Sequence, residues 1–226
     1  MVAISDADFC MCQQRLWITT EEDLTRDGNM LDKIEQIHAS IRTRSALRRF
    51  MADLIVTADG WLSYRTASGS PLTTRCALGR GGVAVQKHEG DGVTPAGRWP
   101  LRSVLYRPDR GPQPTTVLPV RAITPHDGWC DDPAHPAYNQ PITRPFPASH
   151  EQLWRADALY DLVVVLGHND APPIPGAGSA IFLHIARPGF KPTEGCVAIP
   201  WQHLYCLLTG ATSADALVVR DGVALT

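Results

Sequence analysis

The chain has 226 residues, 44% hydrophobic and 19% charged, enough apolar material for one large domain or one domain with an appendage. A formal net charge of −2 supplies no strong field for nucleic acid or for an anionic membrane surface, so neither is expected as a partner. The longest apolar runs, such as Leu162–Leu166, are far too short to span a bilayer.

Residues 1–15 carry acids early and contain no apolar stretch of the kind a signal peptide needs, so no export signal is visible. Asn29 is placed to cap a helix from Met30 to about Phe50, with Leu31, Ile34, Ile37 and Ile41 at three- and four-residue spacing. Arg42, Arg44, Arg48 and Arg49 collect at its C-terminal end, where a helix dipole favours cations. Residues 1–50 are therefore expected to form an N-terminal helical extension, or a leader ahead of a start at Met51.

From Asp53 the pattern changes to strands. Leu54-Ile55-Val56 and Trp61-Leu62-Ser63-Tyr64 flank Ala58-Asp59-Gly60, and an Asp-Gly pair between apolar runs signals a hairpin. Further strands are expected over 73–78, 99–106, 117–123, 160–166, 179–186 and 216–220. Residues 125–157, rich in Pro, His, Asp and aromatics, show little periodicity and read as a long functional loop or insertion. Pro200 suits the start of a short helix, Leu204, Leu207 and Leu208 give it an apolar face, and Gly210 gives its stop. The fold class is mainly β, with one or two short helices. Six cysteines (10, 12, 76, 130, 196 and 206) show no repeated framework, so neither a disulfide scaffold nor structural zinc is expected.

The chemistry concentrates in residues 179–199. Alternation puts Ile181, Leu183 and Ile185 on one face of a strand and Phe182 and His184 on the other. A short loop with Pro188 and Pro192 then returns the chain to Thr193-Glu194-Gly195-Cys196, a path able to bring Cys196 beside His184. Gly195 permits a tight turn and leaves room for a substrate carbonyl. A free thiol has a pKa near 8.5, so a cysteine nucleophile needs a base such as an adjacent imidazole. Backbone N–H groups of Gly195 and Cys196 can hold a tetrahedral oxyanion, an effect of about 3–4 kcal/mol per donor. The imidazole also needs an orienting acceptor, which the sequence does not identify.

His184 followed by Thr193-Glu194-Gly195-Cys196-Val197 resembles the His…Ser/Thr-x-Gly-Cys signature of the YkuD-type L,D-transpeptidases. The segment Gly90-Asp91-Gly92-Val93-Thr94-Pro95-Ala96-Gly97-Arg98-Trp99 is similar to that family's Thr-Pro-x-Gly stretch, and Ala216–Arg220 looks like its closing strand. The resemblance covers residues 51–221 in family order. It implies a mixed β-sandwich catalytic domain over 51–226, with no cofactor and no metal. Cys196 would be the nucleophile, His184 the base, and Gly195 with Cys196 the oxyanion hole, with Thr193 supporting the turn. The substrates implied are peptidoglycan stem peptides as donor and acceptor, with a carbapenem β-lactam as inhibitor and the periplasm or cell envelope as the place of action.

Several positions depart from the family pattern. Glu194 stands where many members have His, Ile185 follows His184 where many have Gly, and the interval from His184 to Cys196 is short. Hydrolysis in place of transfer, giving an L,D-carboxypeptidase, is the alternative enzyme. A non-catalytic cell-wall module binding metal through His168, His184 and Cys196 is the alternative class. Arg187 is a candidate for a substrate carboxylate, and His168 for a second imidazole at the site. Trp129, Tyr138 and Trp154 are candidate cleft walls.

Overall fold

The computed structural model describes residues 53–222. The helix expected over residues 30–50, with Cys10 and Cys12, lies outside the described residues.

The described chain is mainly β. It begins with a hairpin, β1 (Leu54–Thr57) and β2 (Trp61–Arg65), turned at Ala58-Asp59-Gly60 as the Asp-Gly pair predicts. Gly60 takes φ +82 there, a backbone conformation that a β-carbon disfavours. The other strands are β3 (Pro71–Arg75), β4 (Val83–Ala84), β5 (Thr94–Pro95), β6 (Gly97–Tyr106) and β7 (Val120–Ala122). They continue with β8 (Asp127–Cys130), β9 (Pro141–Thr143), β10 (His150–Gln152), β11 (Leu162–Leu166), β12 (Phe182–Ile185) and β13 (Val197–Ile199). Helix α1 (Trp201–Gly210) and β14 (Ala216–Arg220) follow.

The main sheet runs β13-β12-β11-β6-β14-β1-β2-β3, with β7 alongside β6. It is mixed: β1–β14, β12–β13 and β6–β7 are parallel pairs, and the rest are antiparallel. Its two ends meet. Ala77 and Ala198 exchange backbone hydrogen bonds of 2.8 and 2.9 Å, and Thr193 pairs with Leu78 and Arg80 at 2.9 Å each. The sheet therefore nearly closes on itself, and the turn before Cys196 lies on the seam.

Closure gives the strands two buried faces. On β11, Leu162, Val164 and Leu166 join one apolar cluster with Leu183, Val197, Ile199 and the buried leucines of α1. Val163 and Val165 join another with Phe182, Cys196, Leu105, Ile123 and Leu153. That is why β11 reads as an unbroken apolar run instead of an alternating one. Helix α1 starts at Trp201, with Pro200 as its N-cap, and Gly210 is its last residue. A β-carbon on Gly210 would lie 3.0 Å from the Ala67 nitrogen, so the helix end packs closely on the chain after β2.

One expectation is corrected. Residues 125–157 are not a structureless loop, because β8, β9 and β10 form a separate antiparallel sheet in the order β10-β8-β9. These strands have three or four residues and include Gly128, Pro141 and His150, too short for an alternating pattern to register.

Candidate active site

β12 lies between β11 and β13, with His184 opposite Val163 on one side and Ala198 on the other. The parallel register of Leu183 with Val197 sets Phe182 beside Cys196. Side chains alternate along a strand, so Phe182, His184 and Cys196 share the outer face while Leu183 and Val197 face inward. The seam holds the turn from Thr193 to Cys196 in place. The Thr193 hydroxyl donates to the Cys196 carbonyl at 2.6 Å and accepts from the Gly195 N–H at 3.1 Å.

Gly195 is required by its surroundings. Its φ is +131, and a β-carbon there would lie 2.8 Å from the Val93 carbonyl oxygen and 3.2 Å from Ile181. The neighbouring chain belongs to the Thr-Pro-x-Gly stretch. The buried Thr94 hydroxyl accepts the Gly79 N–H at 2.8 Å, and Gly81 N–H donates to the Gly92 carbonyl at 2.9 Å. The two sequence motifs are thus packed against each other. Glu194, the departure within the signature, points outward and pairs with Arg80 at 2.8 Å, both side chains being exposed.

His184 Nδ1 lies 2.9 Å from the Ile185 carbonyl oxygen. A carbonyl only accepts, so Nδ1 carries the proton and Nε2 keeps its lone pair. The orienting acceptor is therefore a main-chain oxygen of the residue after the histidine. The ring is 4% exposed, and burial, together with the charges of Arg155 and Arg187, pushes its pKa down to about 4. Cys196 is 7% exposed, and burial pushes its thiol up to about 12. Both groups are neutral at pH 7 in this arrangement. The sulfur lies 3.2 Å from the Ala180 carbonyl and 3.3 Å from the Phe182 nitrogen, so S–H donates to the former and accepts from the latter.

Other groups complete the surroundings. The ring of Tyr160 meets those of His184 and Phe182 edge-on at 5.4 and 6.0 Å, and the Arg155 guanidinium lies over Tyr160 at 5.1 Å. Arg155 pairs with Glu151 at 2.9 Å and with Asp157 at 2.8 Å. Burial raises the Glu151 carboxyl pKa, with Arg155 opposing it, and the Glu151 charge in turn works against a thiolate at Cys196. Burial also raises Tyr160 well above the usual phenol value.

The remaining expected residues are spread around this centre. Trp129 meets Phe182 edge-on at 5.2 Å, and its indole N–H donates to Asn139 at 2.9 Å. The same Asn139 oxygen accepts the Ala180 N–H at 3.0 Å, while its amide donates to the His168 and Asn169 carbonyls. Asn139 thus ties β8 to the residue whose carbonyl accepts the thiol hydrogen bond. His168 lies beyond the end of β11 away from the Val163–His184 pair. Its Nε2–H donates to the Ala177 carbonyl at 3.0 Å and its ring meets Trp99 at 4.6 Å. Arg187 is exposed and lines a pocket of about 300 Å³ with Asp157, Leu159, Ala186, Pro188 and Lys191. Trp154 lies 3.6 Å beneath the Arg107 guanidinium, and Tyr138 bonds Glu89, so both are held by packing partners.

Lys87, Asn139, Glu151, Arg155 and Tyr160 are absent from the sequence-based candidates. Nothing in their local spacing distinguishes them, because each approaches the centre from a distant element. The four cysteines within the described residues are free and buried. Among those residues no cluster of His, Cys, Asp or Glu is arranged to hold a metal ion, and no helix is long and apolar enough to cross a membrane.

A buried imidazole with a fixed tautomer, a cysteine on the same face and a glycine turn make a centre suited to covalent acyl transfer. No curated protein and no solved structure matches the chain. The YkuD family, described as an L,D-transpeptidase catalytic domain, matches residues 54–209. That span takes in both motifs, the seam and most of α1, so the chain belongs to the YkuD L,D-transpeptidase family.

Proposed function

We propose that this protein is a peptidoglycan L,D-transpeptidase that works through an acyl-enzyme on Cys196. The observation carrying this reading is the His184 Nδ1–H bond to the Ile185 carbonyl, which leaves Nε2 as a proton acceptor on the face that bears Cys196. The Cys196 S–H bond turns from the Ala180 carbonyl to His184 and breaks, its proton passing to Nε2 as the sulfur attacks the carbonyl carbon of an L-to-D peptide bond in a donor stem. A C–S bond forms as the carbonyl π electrons move to oxygen. The backbone N–H of Cys196 and that of Gly195, the latter exchanging Thr193 for substrate, hold the resulting oxyanion. Collapse breaks the C–N bond, and His184 returns its proton to the departing amine. An amine of an acceptor stem then attacks the thioester carbon and loses a proton to His184, the C–S bond breaks, and His184 returns the proton to the sulfur.

A pair held neutral at rest suits this order of events. Forming thiolate and imidazolium in the buried centre is opposed from both sides, by a thiol near 12 and an imidazole near 4. Proton transfer is then concerted with attack, when substrate places a new electrophile against the sulfur. A carbapenem fits as an inhibitor, since attack on its strained lactam breaks the ring C–N bond and leaves the opened drug as a thioester on the same sulfur. The substrate class places the work of the enzyme at the cell envelope.

Incubation of the purified protein with a disaccharide-tetrapeptide tests the reading. Cross-linked dimers establish transfer, and tripeptide without dimers establishes the carboxypeptidase alternative. Intact mass after carbapenem treatment tests the nucleophile: wild type is expected to gain one adduct and Cys196→Ala none. An adduct on the alanine variant would move the nucleophile to another cysteine.

A further inference from the structure

Lys87 follows β4 and carries its charge into the interior. Its side chain is only 4% exposed. A lysine seldom enters a core unless it is paired, and this one donates to the Asp91 carboxylate and to the His88 carbonyl at 3.0 Å. Its methylene stem fills the space beside Gly178, where a β-carbon would lie 2.7 Å from Lys87 Cγ. At the far end Nζ reaches the back of the nucleophile turn, 3.5 Å from the place a β-carbon on Gly195 would occupy. Asp91, more exposed than the lysine, is fixed by the N–H groups of His88 at 2.7 Å and Val93 at 2.8 Å. The ion pair therefore turns its positive end toward Gly195 and Cys196.

We infer that Lys87 is a positioning residue for catalysis, whose ammonium, held behind Gly195, supplies the fixed positive charge that stabilises the thiolate and oxyanion formed at Cys196. The inference rests on Cys196 being the nucleophile. The groups facing Cys196 from the surrounding elements are His184 on β12, Tyr160 before β11 and Glu151 on β10. His184 is neutral at rest and Tyr160 is an un-ionised phenol, whereas Glu151 opposes a thiolate. Lys87 is the charge that acts in the other direction on that sulfur. Around Lys87 itself lie Asp91 and His168, and the lysine charge helps hold His168 neutral. A neutral donor could bond Asp91 and the His88 carbonyl equally well. What a buried ammonium adds is a field, and a field in a water-poor site acts strongly on nearby anions.

The test needs no peptidoglycan. Alkylation of Cys196 by iodoacetamide, followed on the Cys196 peptide by mass spectrometry from pH 6 to 10, reports thiolate formation. Lys87→Met keeps the stem and removes the charge. It is expected to alkylate about tenfold more slowly across the rising limb, the equivalent of a one-unit rise in thiol pKa. Structural damage acts in the opposite direction, because an unfolded thiol titrates near 8.5 and reacts faster. A variant that alkylates as fast as wild type, or faster, overturns the inference. Carbapenem acylation separates the two readings. A slower alkylation profile in Lys87→Met, with no carbapenem or stem-peptide acylation of wild type, would retain Lys87 and discard the transpeptidase assignment.

Discussion

The two faces of β12 make an instructive comparison. Leu183 points into the closed side of the sheet, among aliphatic neighbours from β11, β13 and α1. One residue on, His184 points the other way, into a space equally dry but furnished with Cys196, Tyr160 and the Glu151–Arg155 pair. Strand, register and degree of burial are shared, and chemistry alone differs. Burial on the first face only stabilises, at about 25 cal/mol per Å² of apolar surface. On the second it also holds a thiol and an imidazole neutral, each far from its ordinary pKa.

The comparison can be broken by substitutions one position apart. His184→Ala is expected to lower turnover by about 10²–10⁴-fold, the usual range for loss of a general acid–base, with a smaller loss of stability. His168→Ala, measured in the same assay, is expected to lose less, and the reverse ranking would transfer the base to His168. Leu183→Ala should show the mirror image. It is expected to cost about 2–5 kcal/mol of stability by urea unfolding, while the fraction that remains folded acylates at the wild-type rate. Should Leu183→Ala slow acylation as much as His184→Ala does, the faces are not separate in function.

A third measurement sharpens the contrast through pH. The His184 pKa is depressed in the fold, so the neutral ring contributes stability that is fully present above about pH 6.5, the unfolded value. That contribution is lost as pH falls toward the folded value of about 4. The difference corresponds to roughly 3 kcal/mol. Unfolding free energy of wild type is expected to drop between pH 7 and pH 4 by about that much more than that of His184→Gln. Equal slopes for the two proteins would mean that the ring is not held dry.

Much of this arrangement is legible in the chain. The alternation through Phe182-Leu183-His184-Ile185 assigns the two faces, and Asp59-Gly60 assigns the first hairpin, because strand period and turn chemistry are local. Thr193 through Cys196 mark a tight turn for the same reason, and Gly195 there takes φ +131. The residues that finish the centre are not legible. The orienting acceptor is the Ile185 carbonyl, a group that every residue possesses, so no side chain announces it. Asn139 reads as a polar loop residue until the β8–β9 pairing carries it to Ala180. Lys87 reads as a surface charge until the Gly195 turn closes over it. Each depends on contact between distant segments, which spacing along one segment cannot register.

The Thr193 hydroxyl has a consequence for selectivity. It accepts the Gly195 N–H at 3.1 Å. A neutral carbonyl oxygen entering the turn would exchange one uncharged acceptor for another, with little net gain. An alkoxide would gain a charge-assisted hydrogen bond, roughly twice as strong as a neutral one. In the proposed mechanism the resident hydroxyl would therefore be a competitor that the ground state can barely displace and the tetrahedral state displaces readily. If the proposed mechanism holds, such a turn would favour the species along the reaction path over the substrate that precedes it, and differential binding of that kind is what raises a rate.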